Sequence, residues 1–360
     1  MNELLLIVIF FISIINVFFI IIMKKNSLFK NETDNKKLKF SLIIAAKNEE
    51  ENIPALIESL KQLNYPPNDF EVVIIDDNSS DRTFETVLEE TKDLQNFHIY
   101  KIQGKEIPAK KGVLQFGTFK AKNPFILITD ADCTVSPDWI NSYDKRFNSG
   151  YDFLFGIAPF YQEKSLINKI SCFENLRTSI LTFSSAFAGF PYSASARNFG
   201  FSKAAFDKLS GYKNTTETLS GDDDLLLREA VKKKMKIGVI LDDDCFVPSK
   251  TKKSFSQYFK QKTRHTKTSL YYLLRHKLLL GFWHVLNLAL LFSIFLTIFN
   301  FNFIFFFSTK IFLDLIVVLS LQRTFKYRFS AIEIIHLQIL YEIFIIINFF
   351  NALTKKEEWK

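Results

Sequence analysis

The sequence predicts an α/β protein: a mainly parallel, Rossmann-like sheet in a cytosolic middle region, with one N-terminal and about three C-terminal transmembrane helices. Three observations carry this expectation. Short β-rich runs alternate with amphipathic helical stretches from residue 38 to residue 250, and apolar stretches of membrane-crossing length stand at both ends. The 360 residues are also 48% hydrophobic and 16% aromatic yet 23% charged. That balance is too apolar for one ordinary soluble domain, too charged for an all-membrane transporter, and far from the composition of a disordered chain.

The first element is residues 4–23, about 20 apolar positions broken only by Ser13 and Asn16, enough to cross the hydrocarbon core. No basic segment precedes it, no small-residue cleavage site follows it, and Lys24 and Lys25 come directly after. Residues 1–24 therefore read as a retained anchor whose C-terminal end is cytoplasmic. The middle region, 38–250, then alternates strand and helix: strand 40–46 (FSLIIAA), helix 50–63, strand 71–75, helix 81–92, strand 98–102, helix 110–120 and strand 125–129. Such alternation with short connections means βαβ units. Residues 222–234 read as a later helix and 236–241 as a strand.

Residues 251–278 follow, with a basic, aromatic, amphipathic stretch at 255–270 that has the pattern of an interfacial helix. Three apolar stretches, 279–299, 303–321 and 331–352, complete the chain to residue 352. Lys310 and Asp314 stand four apart in the second of them and can neutralise each other on one face. Arg323, Lys326 and Arg328 put the loop 322–328 inside, which agrees with the orientation of the anchor.

The net charge of +8 gathers in Lys24, Lys25, Lys30, Lys36, Lys37 and Lys232 to Lys234, beside apolar segments or on helix faces. Membrane lipids and topology account for it, and nucleic acid is not expected as a partner. Cys133, Cys172 and Cys245 lie far apart without a CxxC, so neither a disulfide framework nor a zinc site is encoded, and a reducing compartment is implied.

Ligands of an open α/β sheet bind at the carboxyl ends of its strands, and polar residues collect there. The strands end at Lys47-Asn48-Glu49, at Asp76-Asp77-Asn78-Ser79-Ser80-Asp81 and at Asp130-Ala131-Asp132. There is no GxGxxG and no GxxxxGK[ST], so the phosphate-binding turns of dinucleotide and P-loop proteins are missing. In Asp130-Ala131-Asp132 the two carboxylates face one way and can share a hard divalent ion, although an isolated pair of this kind is also an ordinary turn. Asp76 and Asp77 fit a turn as well, with Ser80 or Asp81 capping the next helix; the functional alternative for Asp77 is a hydrogen bond from a nucleobase. Lys110 and Lys111 open a helix, where the dipole disfavours cations, so they are either exposed or drawn to an anion. Ser220-Gly221-Asp222-Asp223-Asp224 exceeds what helix capping needs and offers a general base, whereas 242–244 reads as strand-end polar surface.

Together these segments resemble the membrane-bound family 2 glycosyltransferases, the group of cellulose, chitin and hyaluronan synthases and ceramide glucosyltransferase. SLIIAAKNEEENI resembles the opening strand, VVIIDDNSSDRT the nucleotide loop, AKKGVLQFG the Lys-Gly or Lys-Ala helix, and ITDADC the metal-binding DxD. ARNFGFSKAAFDKLSGY and SGDDDLLLRE resemble the segment before the catalytic acid and the acid's own motif. Gln261 to His265 (QKTRH) resembles Gln-x-x-Arg-Trp, with His265 in place of Trp, and Gln115 stands where Asn is usual.

The resemblance implies a GT-A type fold and an inverting transfer from a nucleotide-diphosphate sugar, uridine-linked. It implies that Asp223 is the catalytic base and that Lys47, Glu49, Asp76, Asp77 and Lys111 serve the donor nucleotide. It further implies that Asp130 and Asp132 hold Mg2+ or Mn2+, and that Asp222, Gln261, Arg264 and His265 serve the diphosphate and acceptor. Three functions follow as expectations for a multi-pass protein of the cytoplasmic membrane. The first is extension of a polysaccharide or oligosaccharide acceptor, for which four spans are few without a second protomer or an accessory subunit. The second is transfer of one sugar to a lipid, a polyprenyl phosphate or glycolipid. The third is a non-catalytic nucleotide-sugar-binding assembly subunit.

Overall fold

The computed structural model describes residues 2–27 and 36–354, so Lys30 of the basic flank lies outside the described residues. The first half of the chain runs α1 (Asn2–Ser27), β1 (Phe40–Ala46), α2 (Ile53–Lys61), β2 (Phe70–Asp76), α3 (Thr83–Thr91), β3 (Phe97–Lys101), α4 (Ala109–Lys120), β4 (Phe125–Asp130), α5 (Trp139–Asn148) and β5 (Phe153–Gly156). It continues with α6 (Leu166–Phe187), β6 (Phe199–Ser202), α7 (Lys203–Lys208), α8 (Asp224–Lys232), β7 (Ile237–Ile240), α9 (Phe255–Ser269), α10 (Leu274–Leu296), α11 (Ile304–Leu321) and α12 (Ala331–Thr354). Two compact units result. An α/β unit comes from residues 36–161 and 191–250, and a helical unit from 2–27, 162–190 and 251–354.

The α/β unit is a seven-stranded sheet in the order β3-β2-β1-β4-β6-β5-β7. Strands β1 to β4 are parallel to one another, as the βαβ reading expects, while β6 runs antiparallel to both β4 and β5, so the sheet is mixed. Every residue of β2 and nearly every residue of β1 is buried, which is why both read as unbroken apolar runs. Alternate residues serve opposite faces. Phe40, Leu42 and Ile44 join Ile53, Leu56, Ile57 and Leu60 of α2 and Trp139, Ile140 and Tyr143 of α5 in one core. On the other face Gly117 lets α4 approach β1 and β2: a Cβ there would stand 2.6 Å from Ile43 Cγ2 and from Ile75 Cδ1. Strands β5 and β6 carry no reading in the sequence, because four residues each (FLFG and FGFS) are too short to show a period.

In the helical unit, α1, α10, the 301–325 segment containing α11, and α12 are long and apolar enough to cross a membrane. Helix α6 is the surprise of this unit. Its 22 residues lie within the 38–250 span that the sequence reads as one domain, yet they pack with the apolar helices. Arg177 of α6 reaches Asp314 of α11 at 3.1 Å, and Asp314 also pairs with Lys310 as its i, i+4 spacing anticipated. Glu342 of α12 stands 3.4 Å from the same lysine, so two cations and two anions meet with almost no exposure. The acids neutralise what an apolar surrounding would otherwise exclude.

Candidate active site

The register of the sheet assembles the site. Ala46 pairs with Asp76 and Ala45 with Asp130, so β1, β2 and β4 end level and their following residues share one rim. Because β6 is antiparallel, with Phe199 opposite Ile128, the residues just before it arrive at that same rim. The turn 196–198 thus faces the acidic strand ends.

The first two rim loops are laced together by short polar side chains. Asn48, left-handed at φ 55°, accepts from Ser80 N at 2.8 Å, and its own N–H donates to Ser79 Oγ at 3.0 Å. Glu49 N–H donates to Thr83 Oγ1, and the Glu49 carboxylate accepts from Asn52 Nδ2 at 2.8 Å. Asp76 is fully buried and receives Ser79 N–H on both oxygens, at 3.3 and 3.2 Å, so it holds the turn. The N-cap of α3 is Arg82, not Ser80 or Asp81; Asp81 stands one residue before it and accepts from Thr83 N at 3.0 Å. Asp77 is joined to Lys105 Nζ at 2.5 and 2.6 Å, a partner that the sequence did not single out. Lys47 is half-buried on the same rim.

The third strand end is joined to the Asp222 loop by a lysine. Lys110 Nζ lies 2.6 Å from Asp130 Oδ1 and 2.8 Å from Asp222 Oδ2. Burial opposes the ammonium charge, but the two carboxylates outweigh it and hold the Lys110 pKa well above the usual lysine value. Asp222 is partly buried too, and Lys110 overcomes the desolvation cost and keeps its carboxyl below the ordinary range. Lys111, which the resemblance sets near the nucleotide, is instead turned inward. It is buried, and its ammonium donates to the carbonyls of Thr215 and Thr218, the latter at 2.9 Å. Adjacent helical residues point about 100° apart, so only one of the two lysines can face the rim. Gln115 has a comparable anchoring part, since its Oε1 accepts Tyr212 N–H at 3.0 Å beside Gly211, whose φ is +58°.

Asp223 is partly buried at the start of α8. It accepts from Asp224 N and from Ala196 N, both at 2.7 Å, which ties the turn before β6 to the acidic loop. Burial, and then the charges of Asp224 and Asp222, push its pKa well above the ordinary aspartic acid range, against the pull of those two N–H groups. Asp224 binds the same segment, accepting from Ser193 Oγ and Ala194 N. Beneath the rim, buried Asn198 accepts from Trp139 Nε1 and Tyr143 Oη, both at 2.9 Å, and donates to the carbonyls of Ile157 and Cys245. Tyr212 is fully buried, and its hydroxyl has no hydrogen-bond partner among the described residues.

The structure therefore brings Asp130, Asp222 and Asp223 into one constellation, with Lys47, Glu49, Asp76 and Asp77 along the adjoining loops. Gln261, Arg264 and His265 belong to α9 of the helical unit. Asp130 and Asp132 present only carboxylate oxygens, partly exposed, and Asp130 Oδ2 is free of hydrogen bonds to described residues. No group of three or more His, Cys, Asp or Glu able to hold a metal occurs among the described residues, so an ion on this pair would take its other ligands from diphosphate oxygens and water. Oxygen-only donors of this kind fit Mg2+ or Mn2+.

Residues 41–209 match the family model described as Glycosyl transferase family 2. A beta-monoglucosyldiacylglycerol synthase of Trichormus variabilis is 35% identical over 100 residues, 28% of this chain and 21% of that protein. An undecaprenyl-phosphate 4-deoxy-4-formamido-L-arabinose transferase of Photorhabdus laumondii is 29% identical over 135 residues, 36% of this chain and 40% of that protein. The alignments thus span about a fifth to two fifths of these relatives. Among solved structures, the mannosyltransferase PcManGT of Pyrobaculum calidifontis, in complex with GDP-Man and Mn2+, aligns over 98% of this chain and 100% of its own with a TM-score of 0.59 at 13% identity. That likeness is one of fold, and the fold is of the GT-A type.

Proposed function

We propose that this chain, which carries a family 2 glycosyltransferase domain at residues 41–209, moves a sugar from a nucleotide-diphosphate donor, uridine-linked, to a lipid acceptor at the cytoplasmic face of a membrane. The observation that carries the chemistry is Asp223, a carboxyl of raised pKa fixed by two backbone N–H groups next to Asp222. A base that holds its proton more tightly than ordinary aspartate is a better acceptor for the proton of a hydroxyl. Asp223 takes that proton while the acceptor oxygen bonds to the anomeric carbon. The bond from that carbon to the diphosphate breaks, and the nucleoside diphosphate leaves with the electron pair. One displacement inverts the anomeric centre, so an α-linked donor gives a β-linked product without a covalent enzyme intermediate.

Asp77, with Lys47 and Glu49, is assigned to the base of the donor, and Asp76 to holding the loop that presents Asp77. Asp130 and Asp132 are the residues that would hold Mg2+ or Mn2+, and that ion when bound supplies positive charge for the departing diphosphate. Gln261, Arg264 and His265 keep their diphosphate and acceptor roles on sequence alone. A lipid acceptor is favoured by the relatives named for diacylglycerol and undecaprenyl phosphate, and by four helices long enough to cross a membrane. Glycan extension is the second reading, favoured by the Gln261-x-x-Arg264 element.

The deciding experiment is metal-dependent release of nucleoside diphosphate by detergent-solubilised protein over a panel of UDP- and GDP-sugars. Lipid extract and oligosaccharide acceptors are supplied in separate reactions. Release that needs metal and lipid supports the first reading, release that needs the glycan supports the second, and no release with any donor overturns both.

A further inference from the structure

We propose that Lys110 is the counter-ion of Asp130 in the free protein, so that a divalent cation binds there in competition with this ammonium. The inference rests on the reading of Asp130 and Asp132 as metal ligands. Lys110 Nζ bridges Asp130 at 2.6 Å and Asp222 at 2.8 Å, and these two carboxylates are its only partners among the described residues. An ammonium at hydrogen-bond distance from a carboxylate and a dication on the same group repel each other, so the two compete for Asp130.

Three features make Lys110 a displaceable cation and not a fixed support. It is the second residue of α4, where the helix dipole disfavours positive charge, so the carboxylates are what hold it there. Its neighbour Lys111 already anchors the 215–218 segment through two carbonyls, and the fold does not need a second lysine for that purpose. Within the bridge, Asp130 is the open end: its side chain is 31% exposed, against 14% for Lys110 and 13% for Asp222, so an incoming cation meets Asp130 first. Once displaced, the long lysine stem lets the ammonium remain with Asp222 or follow an arriving anion.

The test uses the full chain in detergent with Mn2+ alone as the probe, read from the loss of the free-ion electron paramagnetic resonance signal, with no nucleotide present. Lys110→Met should bind Mn2+ about tenfold more tightly than the unaltered protein. Lys110→Arg should bring the affinity back, because it restores a cation between the acids. Lys105→Met removes the same charge from the Asp77 pair and should change the affinity by less than about twofold. Asp130→Asn should abolish the tightened binding. Equal affinities for the unaltered protein and a folded Lys110→Met, checked by circular dichroism, overturn the competition while leaving the metal reading in force. A lack of Mn2+ binding by both, with UDP absent and again with UDP present, overturns the metal reading and the competition together.

Discussion

Asp223→Asn removes one negative charge and almost no volume, which makes its consequences separable. In the native protein each carboxylate oxygen accepts one backbone N–H, from Asp224 and from Ala196, both at 2.7 Å. An amide offers one oxygen, so one N–H would keep its partner and the other would face the new NH2 group, at a cost of about 1–3 kcal/mol. Burial of the charge and repulsion from Asp224 and Asp222 both raise the Asp223 pKa, so removing that charge offsets part of the loss. The variant should fold, with a melting shift of a few degrees at about 2–4 °C per kcal/mol. Turnover should fall by about 10²–10⁴, the contribution of a general base, equivalent to about 3–5 kcal/mol of barrier. The assay is nucleoside diphosphate release against pH. Asp223 acts deprotonated and its pKa is raised, so the native rate should be full at alkaline pH and fall as pH drops through a value above the ordinary carboxylate range. The residual rate of Asp223→Asn should lack that limb. Near-native turnover by the variant, or the same acidic limb in both proteins, would refute Asp223 as the base.

Lys111→Met should lower thermal stability by about 2–4 kcal/mol, because the carbonyls of Thr215 and Thr218 lose a buried donor; an unchanged melting temperature would contradict the anchoring role. Asn198→Ala strands the Trp139 and Tyr143 donors and the Cys245 carbonyl under the rim, while the Ile157 carbonyl keeps Val247 N–H, and a loss of about 3–5 kcal/mol is expected in calorimetry. Asp314→Asn leaves Arg177 and Lys310 with Glu342 as their remaining acid, so the detergent-solubilised protein should unfold about 3–5 kcal/mol more easily. Replacing Lys310 by Met in that variant should recover part of the loss, since it removes one uncompensated cation.

Much of this arrangement is legible in residue order alone. Alternating apolar runs and amphipathic stretches mark β1 to β4 and their helices because burial on both faces demands unbroken hydrophobic strands. The acidic clusters at Asp76 and Asp130 are visible because polar residues interrupt those runs where a strand must end, and that at Asp222 because three aspartates after a glycine exceed what a helix start needs. The four long apolar helices follow from length and composition. Local chemistry of this kind depends on near neighbours in sequence, and sequence preserves it.

Tertiary structure decided what depends on partners far along the chain. Lys110 and Lys111 are equivalent by composition; only the approach of Asp222 to one and of Thr215 and Thr218 to the other, more than a hundred residues on, separates them. The antiparallel entry of β6 is likewise unmarked in FGFS, yet it delivers Ala196 N–H to Asp223. Arg177 reads as an ordinary polar position until Asp314 is found 3.1 Å from it. The physical reason is the same in each case. A charged group's role is set by the ions and dipoles within a few ångströms, and those are chosen by the packing of elements that the local pattern does not encode.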